Sequence, residues 1–196
     1  MREKSKTFDL LRQEFCGKDY GKLADQAGAL WDADSGVLTI SYLTHGCKIT
    51  LPDLIFRDDQ WLTEKEKVLI CHYLLDSRGL PSTSLVSFKE MEAGNFYFPS
   101  FQNRVINPLL EWFGGKPEMF LPATEKIGGK RFEDAPLGVV IPAFPKVSVY
   151  FLLYPADEEF PPELKVLFSG SIKKYLDTED AVVLCEEIVA RLMGEK

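Results

Sequence analysis

Histidine is nearly missing from this chain, with His45 and His72 the only two in 196 residues, so chemistries that need a histidine cluster are out of reach. There is no H-x-x-x-H metal motif, no G-x-S-x-G nucleophile elbow and no Walker loop. Gly114-Gly115-Lys116 and Gly128-Gly129-Lys130 each lack the G-x-x-x-x-G-K-[ST] frame of a phosphate-binding loop. The four cysteines, Cys16, Cys47, Cys71 and Cys185, contain no C-x-x-C pair, which argues against zinc ribbons, iron–sulfur ligation and dithiol redox chemistry. They are read as free thiols of a cytoplasmic protein, since a chain with a full-sized core needs no disulfide staples. Positive charge is in deficit too. At a formal net charge of −7, with no stripe of Lys and Arg interleaved with aromatics, a phosphate backbone is repelled, so no nucleic acid is expected as partner. Long apolar runs are absent: the longest, over 135–156, is broken by Pro142, Pro145 and Lys146, and the N-terminal MREKSKTFDLLRQEF has no apolar signal core. Neither secretion nor a membrane span is expected.

What is present is an ordinary globular composition, 45% hydrophobic and 27% charged. A chain of this length buries roughly 70% of the surface it exposes when unfolded. Periodicity predicts helices over 5–15 and 19–30, parted by Gly17, then a turn at Asp34-Ser35-Gly36 and a change to period two. In VLTISYLTHGCKITLP a two-residue turn at His45-Gly46 would set Thr44 opposite Cys47, Tyr42 opposite Ile49 and Ile40 opposite Leu51, sorting apolar from polar faces. Thr63 and Glu66 form a capping box that opens a helix over 63–77. Its middle, Val68 to Leu75, is apolar nearly all round and is expected to lie inside the protein. A loop around PSTSLVSFKEMEAGN precedes a helix near 100, kinked by Pro108 or restarted at Asn107-Pro108, and a further short helix is expected over 117–127. Strands follow at 137–141 and 147–154, the second too apolar to have a wet face. A closing helix over 178–193 carries acids at its positive end and Arg191 near its negative end. Without a regular strand–helix alternation, the expectation is a single α+β domain over 1–196, its antiparallel sheet built from hairpins at about 37–51 and 137–154 and packed with helices.

Three places invite a functional reading. His72 stands mid-helix beside Cys71; an imidazole sunk there must be hydrogen-bonded or coordinated, as a core residue reaching a neighbouring acid or as an axial ligand or general base. Asp157, Glu158 and Glu159, in YPADEEFPPEL, follow a buried strand, where a fold can present carboxylates to a ligand. The same acids fit a strand-to-helix turn in which Pro161-Pro162 and ELKVLF begin a helix. The aromatics from Phe88 to Phe120 fit either a core or a platform for a flat cofactor.

The order of these landmarks resembles a known family. VLICHYLLDSRG, SFKEMEAGNFYFPSF, NPLLEWF, YPADEEFPPELKVLF and YLDTEDAVVL together look like an uncharacterised domain family of anaerobic bacteria and archaea, over about 20–190. Some members of that family are joined to a four-cysteine iron–sulfur domain resembling those of corrinoid proteins. The resemblance therefore implies a setting in anaerobic one-carbon or redox metabolism. This sequence carries no such four-cysteine segment, and Ser169-Gly170 stand where the family pattern has an acid. Two function classes follow. One is an accessory module that binds a protein partner; the other is an enzyme or a tetrapyrrole or metal binder using His72 with Glu90 and the acids at 157–159. The sequence names no cofactor, reaction or oligomeric state.

Overall fold

The computed structural model describes the backbone of residues 2–194 and the side chains from residue 6. It is an α+β fold with two antiparallel sheets. The first is a four-strand meander, β1 (Leu30–Asp32), β2 (Val37–Tyr42), β3 (His45–Thr50) and β4 (Ile55–Arg57). The second contains β5 (Leu85–Ser87), β6 (Lys130–Phe132), β7 (Leu137–Phe144), β8 (Val147–Tyr154) and β9 (Glu163–Ser169), in the order β5-β9-β8-β7-β6. Central β8 is hydrogen-bonded on both sides and covered on both faces, which is why VSVYFLLY shows no polar alternation.

The β2–β3 hairpin is real, but its turn is Leu43-Thr44 rather than His45-Gly46, so Tyr42 pairs with His45 and Ile40 with Cys47. The shift keeps the parity of the strands, so Leu38, Ile40, Tyr42, Cys47 and Ile49 still share the buried face. Tertiary contacts decide it. The Leu43 amide donates to the Ala143 carbonyl of the second sheet at 2.9 Å, and the His45 ring stacks on Trp61 at 4.6 Å.

The helices are α1 (Arg2–Phe15), α2 (Tyr20–Ala27), α3 (Glu64–Asp76), α4 (Gly94–Phe101), α5 (Asn107–Phe113), α6 (Phe120–Glu125) and α7 (Thr178–Leu192). α2 stops at Ala27, short of the predicted residue 30, because Gly28 takes the left-handed cap at φ 71° and a side chain there would run into Pro145. α4 and α5 are joined by a π-helical stretch, Gln102–Ile106. Of the two readings the sequence left open, the restart at Asn107-Pro108 is the one observed, with Pro108 in the first turn of α5.

α3 begins at the expected capping box and runs through the interior, with Leu69, Ile70, Cys71, Tyr73 and Leu74 buried. The Tyr73 ring stacks on Phe144 at 4.2 Å, and its hydroxyl donates to the Ala27 carbonyl at 2.7 Å. One cluster of buried side chains spans both sheets and the helices packed on them.

The segment after β8 is not a strand-to-helix turn. ELKVLF is β9, in which Leu164, Val166 and Phe168 face the core while Glu163 and Lys165 face out, so the 155–162 loop joins two strands. Alternation of period two was written in those six residues, and the prolines before them mask it.

Candidate functional site

His72 is not sunk in the core. Its ring lies on the α3 face turned toward the start of α7, with its side chain 37% exposed. Nδ1 is 2.9 Å from Asp180 Oδ1. Asp180 is held in place by its position in the first turn of α7, where the Asp177 side chain caps its amide at 2.7 Å. The hydrogen bond to Asp180 raises the His72 pKa above its ordinary value, against the opposing effect of burial, and Asp177 and Asp76 add to the rise. Burial pushes the Asp180 carboxyl up as well, an effect the imidazole opposes. The pair ties α3 to α7.

Glu90 lies in the short 3-10 turn Phe88–Glu90. Its Oε2 accepts from the amide and the hydroxyl of Ser87 at 2.7 and 2.8 Å, and these bonds lower its pKa. Asp157 is engaged in its own loop: Oδ1 accepts from the amides of Glu159 and Phe160 at 2.9 and 2.8 Å, which lowers its pKa likewise. Glu158 and Glu159 are exposed on the same loop. No hydrogen bond or ion pair joins His72, Glu90 and the 157–159 acids among the described residues. His72, Glu90 and Asp157 are each used by local structure, the imidazole between two helices and the two carboxylates in turns.

A cleft of about 590 Å³ opens where the end of α3, the start of α4 and the start of α7 meet. Neither His72 nor Glu90 lines it. The end of α3 gives Asp76 and Arg78, the segment before α4 gives Met91 and Glu92, and Lys173 and Asp177 come from the approach to α7. The wall on the 91–97 side is fixed by Ala93 at φ 52° and by Gly94, which packs so closely on the Phe88 carbonyl that a side chain would collide with it. Thr178 Oγ1 donates to the Glu92 carbonyl at 2.7 Å, bridging the two walls. At the lip stand Tyr97, which lines the cleft, and Phe96, 80% exposed and edge-on to Tyr97 at 5.2 Å between ring centroids. Of the aromatic run, Phe88, Phe101, Phe113 and Phe120 are core, whereas Phe96, Tyr97 and Trp112 are not.

Among the described residues no group of three or more His, Cys, Asp or Glu side chains is placed to hold a metal ion. Cys47, Cys71 and Cys185 are buried, and burial pushes their thiols up, to about 12 for Cys47. They are protonated and inert at neutral pH. Sequence reasoning missed the partner of His72 and the whole cleft, because the residues that build them come from segments a hundred positions apart. The one local signal was the run of acids at the start of α7, which was read for its helix dipole alone.

The family model of a domain of unknown function, DUF3786, matches residues 19–191. No curated protein and no solved structure matches the chain.

Proposed function

The chain belongs to the DUF3786 family of domains of unknown function, and from that premise we propose that it is a non-catalytic, cytoplasmic binding module that docks a partner protein at the cleft beside α4. The observation that carries this is the aromatic lip: Phe96 and Tyr97 stand exposed next to a concave, mixed-charge surface. Exposed aromatics bordering a polar concavity have the composition of an interface centre, with desolvated rings inside a charged rim. Arg78 and Lys173, interspersed with Asp76, Glu92, Asp177 and Glu179, give the lining both signs, which favours orientation of a partner over bulk attraction. The metabolic setting, anaerobic one-carbon or redox metabolism alongside iron–sulfur or corrinoid proteins, is supported by the resemblance of the quoted segments.

A photo-reactive amino acid placed at Phe96 in the source cells should yield one discrete adduct. It should be lost when Arg78 and Lys173 are both replaced by Glu, and not formed from the same probe at exposed Glu118. Absorption spectra and metal analysis of protein purified without oxygen test the competing idea of a cofactor binder. A tetrapyrrole band or stoichiometric metal that vanishes in His72→Ala would overturn the docking proposal.

A further inference from the structure

On the far side of α7 from its capped start lies a second cavity, of about 380 Å³, formed by the β2–β3 turn, the end of α6 and the end of α7. In a protein of net charge −7, the charged residues lining it are Lys126 and Arg191, with His45 beside them, and no Asp or Glu contributes to its described wall. Arg191 is a built element of this site. Its Nε and Nη2 donate to Glu66 Oε1 at 3.1 and 2.7 Å, and Nη2 donates to the Trp61 carbonyl at 3.1 Å. The guanidinium is thereby locked and mostly buried. Nη1 is left without a hydrogen bond to any described residue, on a side chain that lines the cavity.

His45 is positioned in the same manner. Its ring stacks on Trp61 and its Nδ1 is 3.0 Å from Thr44 Oγ1, which leaves Nε2 without a described partner. The remaining walls are apolar, from Leu43, Ala123, Ile127 and Leu192. One fixed guanidinium N–H, with the Lys126 ammonium, at one end and aliphatic walls at the other match an amphipathic anion better than a bare one.

The geometry points to a binding site for a small organic carboxylate, its head on Arg191 and Lys126 and its hydrocarbon part against Leu43, Ala123, Ile127 and Leu192. Both cations stand near helix C-termini, where the macrodipole alone would favour them, so the test must separate a ligand site from ordinary helix-end charges. The site is separate from the α4 cleft, and the two proposals stand or fall independently.

The probe is hexanoate, followed by amide shifts in heteronuclear NMR of the full chain, with hexanol and inorganic phosphate as the uncharged and tailless controls. Saturable shifts are expected at Thr44, His45, Lys126 and Gly194. Hexanol and phosphate should each bind at least about tenfold more weakly, a difference of about 1.4 kcal/mol. Lys126→Glu and Ala123→Phe alter a half-exposed or exposed wall without touching the buried Glu66–Arg191 pair, and a spectrum otherwise unchanged shows that they fold. Each should weaken hexanoate by a similar factor. Shifts that do not saturate, binding of hexanol or phosphate as tight as that of hexanoate, or affinity unchanged in both variants would each overturn the assignment.

Discussion

The proton on His72 is worth more to the folded protein than to the unfolded chain, because the folded imidazole sits 2.9 Å from the Asp180 carboxylate, with Asp177 and Asp76 nearby. A raised folded-state pKa gives stability that is fully present below the unfolded value, about 6.5, and is lost as pH rises through the higher folded value. The ring is more than a third exposed, so solvent screening holds the contribution below about 1 kcal/mol. His72→Gln should therefore lower the urea midpoint most near pH 6, with the pH-dependent part of the gap to wild type closing toward pH 9, values chosen about the ordinary imidazole pKa. A gap that widens with pH would show that the pair does not exchange a proton in this sense. The sequence made His72 conspicuous for a sound reason, since a polar ring in an apolar helix must find a partner. It could not say which flank of α3 is covered, and one step of about 100° around a helix separates the buried Cys71 from the half-exposed His72.

Elements here are joined by side chains whose partners lie far off in sequence. α3 and α7 are held at one end by His72 and Asp180 and at the other by Glu66 and Arg191, 125 residues apart. Arg104, from the π-helical stretch, clasps α7 from outside through Glu179 and Glu186, each at 2.9 Å. Glu66 is the costliest of these groups to strand. It is 0% exposed, closes the Thr63 capping box and accepts from the Tyr42 hydroxyl as well as from Arg191. Arg191→Met would leave that carboxylate buried without its counter-charge and should cost about 3–5 kcal/mol in chemical denaturation. The double variant Glu66→Gln, Arg191→Met should recover a measurable part of the loss, since the amide carries no charge to strand. If the double variant is no more stable than the single one, packing and not charge governs the site. Local elements were legible where the code is local: the Thr63 box, the β2–β3 parity, the apolar β8 and the span of α7 all follow from spacing within a few residues. β9 and the position of the hairpin turn were not, because ELKVLF carries helix-compatible residues behind two prolines, and Leu43 is placed by a hydrogen bond from its amide to the other sheet.

At the scale of the whole molecule the question is whether two sheets make one cooperative unit. The first sheet is a complete meander with its own buried face, and in principle it could melt by itself. Against this, Tyr42 of the first sheet and Tyr73 of α3 both pack on Phe144, at 5.0 and 4.2 Å between ring centroids, so the end of β7, an inner strand of the second sheet, also packs against the buried face of the first. The Leu43–Ala143 hydrogen bond runs beside that contact, and Lys146 donates its amide to the Tyr73 hydroxyl at 3.2 Å. The tryptophans report on separate regions: Trp31 in β1, Trp61 before α3 and Trp112 in α5. Single-tryptophan variants, with Phe at the other two positions, should unfold with the same midpoint and slope by fluorescence, and that transition should coincide with far-UV circular dichroism. Phe144→Ala removes the ring shared by the two halves and should cost about 3–5 kcal/mol, lowering all three tryptophan midpoints by the same amount. A Trp31 transition that moves alone, leaving Trp112 behind, would mean that the sheets are separate folding units and that the first merely rests on the second.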